Sequence, residues 1–449
     1  MIDLEVPRKF RPLIAQARSM AEEVFRPISR KYDRAEHAYP VELDLVSAVI
    51  DGMSDSGAGQ GAGARGSTQA ADTELGTVGS GRSSRSPGDG DSNGDSNGIG
   101  IGIGKDTGKG KGTDTGKGNR NGTNLSSVLS ILETCRGDVG LTLSIPRQGL
   151  GNAAIAAVAN DEQKARYGKR WAAMAITEPE VGSDSGAIRT TAVRDGDEYV
   201  LNGEKIYVTA GERAELVVVW ATLDRSLGKQ AIKSFVVERS NPGLKLVRLE
   251  YKLGIRASDT AAFVLDDCRV PAADLLGDPG LAPDENRTAG GFGGAMQTFD
   301  NTRPLVAAMA LGLTRASLDL TTDLLAAEGV AVDWDAPAHT QSAAAARLLA
   351  MEAEYEAAHL LTLRAAWMAD NGRPNSMQAS MAKAKAGRTC VDVSLGCVEL
   401  CGATGYAERE LLEKWARDSK ILDIFEGTQQ IQLLIIARRL LQLSSSELR

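Results

Sequence analysis

The sequence predicts an α+β protein: a helical N-terminal domain, a middle β-barrel-like domain and a C-terminal helix bundle. Apolar residues recur at helical spacing from Glu5 to Arg34 and again from Leu125 to Cys135. β-Branched runs dominate between Ile176 and Leu276, and helical spacing returns from Met296 to Leu443. Because strands and helices do not alternate, this order excludes a doubly wound nucleotide-binding sheet as the main fold.

We expect the domains to cover residues 1–173, 174–280 and 290–449. Within the middle domain, the runs Leu216–Trp220 and Ser234–Val237 read as strands, and Asn202-Gly203 is a turn signal. The C-terminal helices are expected to break at Asn371-Gly372 and near Gly402–Gly405. A bundle of long helices follows from this spacing.

A glycine-rich insertion interrupts the N-terminal domain at residues 51–124. It holds 22 of the 49 glycines and no Phe, Tyr or Trp. Such a segment cannot bury enough apolar surface to offset its ordering entropy, so we expect it to be mobile.

Composition narrows the class of protein. A net charge of -8 and a pI near 5.3 disfavour a nucleic-acid partner, which would require an excess of Lys and Arg. No stretch approaches the roughly 20 apolar residues that span a bilayer, and the first residues lack a signal-peptide core. The cysteine count is odd, which favours reduced thiols. We therefore expect a cytoplasmic protein without a membrane span.

Two apparent ligand motifs carry little weight. Gly61–Gly66 satisfies G-x-G-x-x-G but lacks the preceding strand and following helix that a dinucleotide site requires. Cys397 and Cys401 share a helix face, yet two thiols do not complete a zinc site and no histidine joins them. We expect no metal.

Four ordered motifs carry the functional signal. They are Met174-Ala-Ile-Thr-Glu-Pro-Glu-Val-Gly-Ser-Asp184, Ile206-Tyr-Val-Thr-Ala-Gly211, Thr298-Phe-Asp-Asn-Thr-Arg-Pro304 and Ile424-Phe-Glu-Gly-Thr-Gln-Gln-Ile-Gln432. The first supplies hydroxyls and backbone donors beside a glycine, which lets the main chain approach a polar ring edge. Together the motifs resemble the acyl-CoA dehydrogenase family through most of residues 125–443, outside the insertion. The resemblance implies an FAD cofactor and an acyl-CoA substrate.

The resemblance assigns the cofactor-binding residues. It implies that Thr177 and neighbouring backbone bind the flavin pyrimidine, that Ser183 faces both cofactor and substrate, and that Thr209 lies near the reactive nitrogen N5. Tyr207 stands where the family usually has Trp, which keeps an aromatic wall of smaller area. The remaining cofactor-binding residues that the resemblance implies are Met174, Ile176, Thr428 and Gln430.

Glu426 is the predicted catalytic base. Dehydrogenation removes the α-proton of the thioester while the β-carbon gives a hydride to the flavin, so a carboxylate must face the α-carbon. As an isolated residue, Glu426 could simply be a favourable charge at a helix N-terminus. The resemblance also implies that the Glu426 N–H holds the thioester oxygen and that Thr302 occupies the place of the alternative base. It assigns Asp300, Arg303, Gly427 and Ser183 to the substrate side.

The chain departs from the family pattern at two places. The family's Arg-x-x-Phe-Gly, which contacts the flavin diphosphate of a neighbouring subunit, reads Glu328–Trp334 here. Its Gln-x-x-Gly-Gly reads Glu399–Ala403, although Gln341 is retained. A carboxylate repels a diphosphate. We therefore expect a hetero-oligomer with a related dehydrogenase subunit. The resemblance also implies electron-transfer flavoprotein as the electron acceptor.

Two other functions remain open from the sequence. A structural or regulatory subunit with a vestigial flavin site would keep the fold without the chemistry, and a flavin oxidase could share the same motifs. The acyl chain is open as well, because fatty, branched and ring-bearing thioesters all remain compatible with the motifs.

Overall fold

The computed structural model describes residues 6–55, 120–147, 149–278, 280, 292–443 and 447, with 51–55 and 292–301 described by backbone only. Helices extend into both ends of the predicted insertion, because one helix continues to Asp55 and the next begins at Thr123. The rest of the insertion, including Gly61–Gly66, lies outside the described residues.

The N-terminal helices match the predicted helical spacing. Pro at the first turns of α1 and α2 suits the fixed backbone angle of a helix start, and Asn160 with Gln163 forms a capping box before α7. The elements are a 3₁₀ turn Arg8–Phe10, α1 (Arg11–Ser19), a π-helical stretch Met20–Phe25, α2 (Arg26–Arg34), α3 (Glu42–Asp55), α4 (Thr123–Cys135), α5 (Val139–Leu143), α6 (Leu150–Val158) and α7 (Asp161–Tyr167).

The middle domain is one eight-stranded sheet. Its strands are β1 (Ala172–Ala175), β2 (Thr191–Asp195), β3 (Glu198–Thr209), β4 (Leu216–Thr222), β5 (Ile232–Glu238), β6 (Leu244–Leu249), β7 (Thr260–Pro271) and β8 (Leu275–Leu276). The order is β6-β7-β3-β2-β4-β5-β8, with β1 parallel to β4. Side chains from both halves, such as Leu201 and Phe235, share one core. The sheet therefore curls around its own interior.

The Asn202-Gly203 turn prediction is wrong. Both residues lie inside β3, where the register shifts against β7 between Leu201 and Gly203. Gly203 has φ 154°, and a Cβ there would lie 2.5 Å from the Thr190 hydroxyl oxygen. Glycine is needed for this close approach inside a strand rather than for a hairpin.

The C-terminal helices form the predicted bundle. They are α8 (Phe292–Ala327), α9 (Ala343–Asp370), α10 (Ser376–Tyr406), α11 (Leu412–Leu422) and α12 (Gln429–Leu441). The chain leaves α9 through Asn371 and Gly372, and α10 is kinked at Gly402, as expected. Every helix of the described residues is too short or too polar to cross a bilayer.

The two helical domains share a single core. Leu129 and Leu132 of α4 belong to the same buried cluster as Leu311 of α8 and Cys390 of α10. A Cβ on Gly312 would lie 2.2 Å from the Leu132 carbonyl oxygen, so α4 and α8 pack at a distance that only glycine permits. The helices before and after the β-domain therefore stabilise each other.

A buried charge cluster joins the three regions of the chain. Lys414 in α11 donates to Asp138, the N-cap of α5, at 2.7 Å and to Asp418 at 2.5 Å. Asp418 also accepts the N–H of Ile255, in the loop between β6 and β7, at 2.5 Å. Burial lowers the pKa of Lys414, but the two carboxylates outweigh burial and raise it.

Replacement of Lys414 by Met should strongly destabilise the protein. Asp138 and Asp418 would remain buried without their cation, and breaking such a pair costs about 3–5 kcal/mol. The free energy of unfolding in urea measures this loss. Lys245→Met is the control, because Lys245 pairs with Asp266 on the surface and should change stability by about 1 kcal/mol or less. Equal losses in the two variants would contradict a structural role for the cluster.

Candidate active site

The turn between α11 and α12 places Glu426. Glu426 has φ 54° and Gly427 has φ 96°, so two successive residues adopt the left-handed region. A non-glycine residue there is strained, and such strain is concentrated at functional sites. Thr428 then ends the turn, because its hydroxyl accepts the N–H of Ile431 and caps α12.

Two side chains hold this turn from inside the bundle. Lys383 of α10 donates to the Gly427 carbonyl oxygen at 2.8 Å. Gln432 donates from Nε2 to the carbonyl oxygens of Glu426 and Gly427, both at 3.1 Å. A Cβ on Gly427 would lie 2.5 Å from Nε2 of Gln432. Gly427 is therefore required for this hydrogen bonding as well as for its backbone angle.

The carboxyl group of Glu426 lies in a polar recess of the bundle. One oxygen, Oε2, is buried and has no hydrogen-bond partner among the described residues. Burial raises the pKa of Glu426 above its ordinary value, although the Thr302 hydroxyl and the charges of Arg303 and Lys383 oppose this. A desolvated carboxylate with a free oxygen is a suitable general base.

Lys383 and Gln432 are site residues that the sequence analysis missed. Both are fully buried. Burial lowers the pKa of Lys383 to about 8, with Asp423 and Glu426 opposing that effect and Arg303 adding to it. A signal was present, since Lys383 stands on the apolar stripe of α10 that Ala379, Ala382, Ala386 and Cys390 form. A lysine on such a stripe requires a compensating partner.

The β-domain residues form a second group. The Ile206 N–H donates to the Thr177 carbonyl oxygen at 2.9 Å, which holds the end of the first motif against β3. β3 bulges next to this contact, where the register shifts between Lys205 and Val208. Tyr207 lies in the bulge with φ 58°, and 63% of its surface is exposed. Bulges redirect side chains in this way.

A second buried lysine fixes the first motif. Lys205 donates to the Ile176 carbonyl oxygen at 3.0 Å and to Glu178 at 2.7 Å. Glu178 also accepts hydrogen bonds from the Thr190 N–H at 2.9 Å and the Arg189 N–H at 2.6 Å. Burial lowers the pKa of Lys205 to about 8, against the opposing charge of Glu178. The sequence analysis missed this pair too.

The other predicted residues have varied positions. Ser183 is exposed in a loop, Met174, Ile176 and Thr209 are half-buried, and Gln430 is exposed at the start of α12. Arg303 is buried beside Glu426, whereas the side chain of Asp300 in α8 lies outside the described atoms. The structure therefore brings Glu426, Gly427 and Arg303 together with Thr302.

A cavity of about 400 Å³ is lined by none of the predicted site residues. It is lined by His37, Tyr39, Asp44, Pro146, Trp171, Glu212 and Arg213. We place the candidate active site at the Glu426 turn rather than in this cavity, because the turn combines a strained glutamate backbone with buried charged side chains.

The two segments that depart from the family pattern, Glu328–Trp334 and Glu399–Ala403, carry exposed acidic side chains. Glu328 is exposed just after α8, and Glu399 forms a surface ion pair with Arg347. Gln341 binds its own loop, since its Nε2 donates to the Asp333 carbonyl oxygen at 2.7 Å. Trp334 is 54% exposed.

Family models match both later domains. The acyl-CoA dehydrogenase middle domain matches residues 173–268, and the acyl-CoA dehydrogenase C-terminal domain matches residues 289–441. An acyl-CoA dehydrogenase of Bacillus subtilis is 34% identical over 325 residues, covering 71% of this chain and 82% of the relative. The mouse mitochondrial short-chain specific acyl-CoA dehydrogenase is 39% identical over 61% of this chain, and the match spans only 64% of the mouse protein.

Solved structures share the fold. Butyryl-CoA dehydrogenase from Megasphaera elsdenii has a TM-score of 0.74 and 25% identity, covering 98% of this chain and 100% of that one. A chain from a structure of the electron transferring flavoprotein of Acidaminococcus fermentans has a TM-score of 0.74 and 27% identity, with the same coverage.

Replacement of Gly427 by Ala tests the packing of the turn. The variant should lose about 1–2 kcal/mol from the left-handed backbone and about 1–3 kcal/mol more because Gln432 must move and lose its hydrogen bonds. Thermal denaturation measures the loss. Gly372→Ala is a matched control, since Gly372 has φ 63° but its Cβ would meet nothing within 4 Å. The same loss in both variants would mean that the contact with Gln432 is unimportant.

Proposed function

Because this chain belongs to the acyl-CoA dehydrogenase family, we propose that it catalyses the flavin-dependent α,β-dehydrogenation of an acyl-CoA thioester. Glu426 abstracts the α-proton. The observation that carries this proposal is the buried Oε2 of Glu426, which has no hydrogen-bond partner in the described part of the chain. It lies on a strained turn that two buried side chains hold.

The residues of the β-domain fit an FAD cofactor. Tyr207 has an exposed aromatic face. It directly follows Ile206, whose N–H donates a hydrogen bond to the Thr177 carbonyl oxygen. Aromatic faces and hydroxyl groups suit a planar ring with polar edges. When bound, FAD supplies the hydride acceptor for the β-carbon. The residues that would hold it are Met174, Ile176, Thr177, Ser183, Tyr207, Thr209, Thr428 and Gln430.

Side-chain and backbone groups of this protein accept the α-proton and stabilise the charges that form. Oε2 of Glu426 accepts the α-proton, and its raised pKa makes it a stronger base than an exposed glutamate. Arg303 and Lys383 lie close enough to stabilise the carboxylate before the transfer. The Glu426 N–H holds the thioester oxygen, where a preformed donor stabilises the enolate-like charge.

The substrate class and acceptor follow from the relatives. The mouse relative is named as short-chain specific and the Megasphaera protein as a butyryl-CoA dehydrogenase, so short acyl-CoA thioesters should be assayed first. The likeness to a chain from an electron transferring flavoprotein structure supports such a flavoprotein as the physiological acceptor.

Glu426→Gln should retain the fold and the flavin but lower turnover at least ~10²-fold, because the amide cannot accept the proton. Dye reduction across a panel of acyl-CoA thioesters measures turnover, and the flavin absorption band measures cofactor content. Glu354→Gln is the control, since Glu354 forms a surface ion pair with Lys385. Turnover near wild type in Glu426→Gln would place the base elsewhere. Inactivity of the flavin-loaded wild type with every thioester would favour a structural subunit, and oxygen consumption would favour an oxidase.

We also propose that this chain works in a hetero-oligomer. The motifs that would form its own half of the flavin site are retained in the sequence, with Tyr207 in place of the family's Trp. The half that it would lend to a neighbour presents the exposed carboxylates of Glu328 and Glu399. A related subunit with an Arg motif would provide the cation for the diphosphate, and this chain would provide Glu426.

The chain purified alone should therefore be flavin-poor. A charged hydrogen bond to a diphosphate is worth about 1.5–3 kcal/mol, so its loss weakens binding tenfold or more. Native mass spectrometry and flavin absorbance give subunit composition and stoichiometry. Glu328→Arg should raise flavin retention, while Glu162→Arg on the exposed face of α7 should not. A fully active homo-oligomer with one tightly bound flavin per chain would refute the hetero-oligomer.

A further inference from the structure

We propose that Lys383 is a positioning residue for Glu426: it fixes the carbonyl of the following turn and supplies a buried positive charge that the carboxylate faces. This inference rests on the proposed role of Glu426 as the base. Lys383 acts through Glu426 and does not itself react.

The location of Lys383 requires an explanation. Its side chain is fully buried in α10, on a stripe otherwise formed by alanine and cysteine. Withdrawing an ammonium group from water is strongly unfavourable unless charges and hydrogen bonds compensate. A methionine would fill the same volume without that cost. The positive charge of Lys383 therefore serves a purpose other than filling the core.

The groups around Lys383 identify that use. α10 contributes Lys383, α8 contributes Arg303, and the end of α11 contributes Asp423, which also contacts Lys420 at 3.3 Å. The turn contributes Glu426, and α12 contributes the neutral Gln432, while the Gln429 N–H at its start donates to the Asp423 carbonyl oxygen at 3.1 Å. Two cations, Lys383 and Arg303, thus face two carboxylates. The carboxylate of Glu426 is one of the charges that make a buried cation at this position tolerable.

Lys383 supplies both a hydrogen bond and a positive charge, whereas Gln432 supplies hydrogen bonds alone. Lys383 and Gln432 both donate to the Gly427 carbonyl oxygen, but only Lys383 is charged. Burial raises the pKa of Glu426 and Lys383 opposes that rise. Loss of the cation should therefore leave Glu426 protonated to higher pH, whereas loss of Gln432 should disturb the turn without this effect.

The test measures protonation of Glu426 directly. Infrared spectra of the substrate-free holoprotein are recorded across pH, and the carboxylic acid band that disappears in Glu426→Gln is assigned to Glu426. Lys383→Met should raise the proton affinity of Glu426 at least about tenfold, as expected for removing an opposite charge nearby. Lys383→Gln, which keeps a donor for the Gly427 carbonyl, should give the same rise and serves if the Met variant does not fold.

Two further variants separate charge from position. Gln432→Met should lower kcat while the proton affinity of Glu426 changes less than about threefold, because no charge is removed. Lys385 lies on α10 with Lys383 but pairs with Glu354 at the surface. Lys385→Met should therefore change neither kcat nor the proton affinity of Glu426. The acidic limb of the pH profile of kcat/KM should move to higher pH in both Lys383 variants.

An unchanged infrared titration in both Lys383 variants would overturn the proposal. So would an equal change in Gln432→Met, because the effect would then come from the turn and not from the charge. The infrared titration does not depend on turnover. If the flavin-loaded wild type oxidises no thioester, the proposed function fails, while the relation between Lys383 and Glu426 is still decided.

Discussion

The buried ion cluster of Lys414 with Asp138 and Asp418 is the interaction on which the arrangement of the three regions depends. It joins an N-terminal helix cap, a loop of the β-domain and α11 in the C-terminal bundle. Four residues after Asp418 the helix ends, and the turn that carries Glu426 follows. The position of the candidate base is thus set by contacts that reach across the whole described fold.

Buried lysines hold irregular segments or helix caps at three places. Lys414, Lys205 and Lys383 are all fully buried. Lys205 and Lys383 each donate to a backbone carbonyl of an irregular segment, and Lys414 holds a helix cap through Asp138. An ammonium group has three donors on a flexible stem, so it can bond a carbonyl and a carboxylate together. Because each buried charge must keep its partners, the nearby segment can adopt few other conformations.

Strained backbone occurs in both candidate site segments. Tyr207 and Ala210 have positive φ at the end of β3, and Glu426 and Gly427 have positive φ before α12. Neither segment is held by regular secondary structure alone. Lys205 and Glu178 secure the first segment, and Lys383 and Gln432 secure the second. The strain is stable because long-range contacts fix it, which is the arrangement that a preorganised site requires.

The sequence by itself determined the order of the regions and the helix bundle with its breaks at Asn371-Gly372 and near Gly402. These features depend on periodicity and on neighbours within a few residues, which a sequence displays directly. Only the tertiary structure decided that α4 and α8 share a core, that Gly203 lies inside a strand, and that Lys383 and Lys414 are buried. Lys414 lies 276 residues from Asp138 in the chain. No local pattern records which distant carboxylate will face a lysine, because burial of that charge depends on how the helices pack.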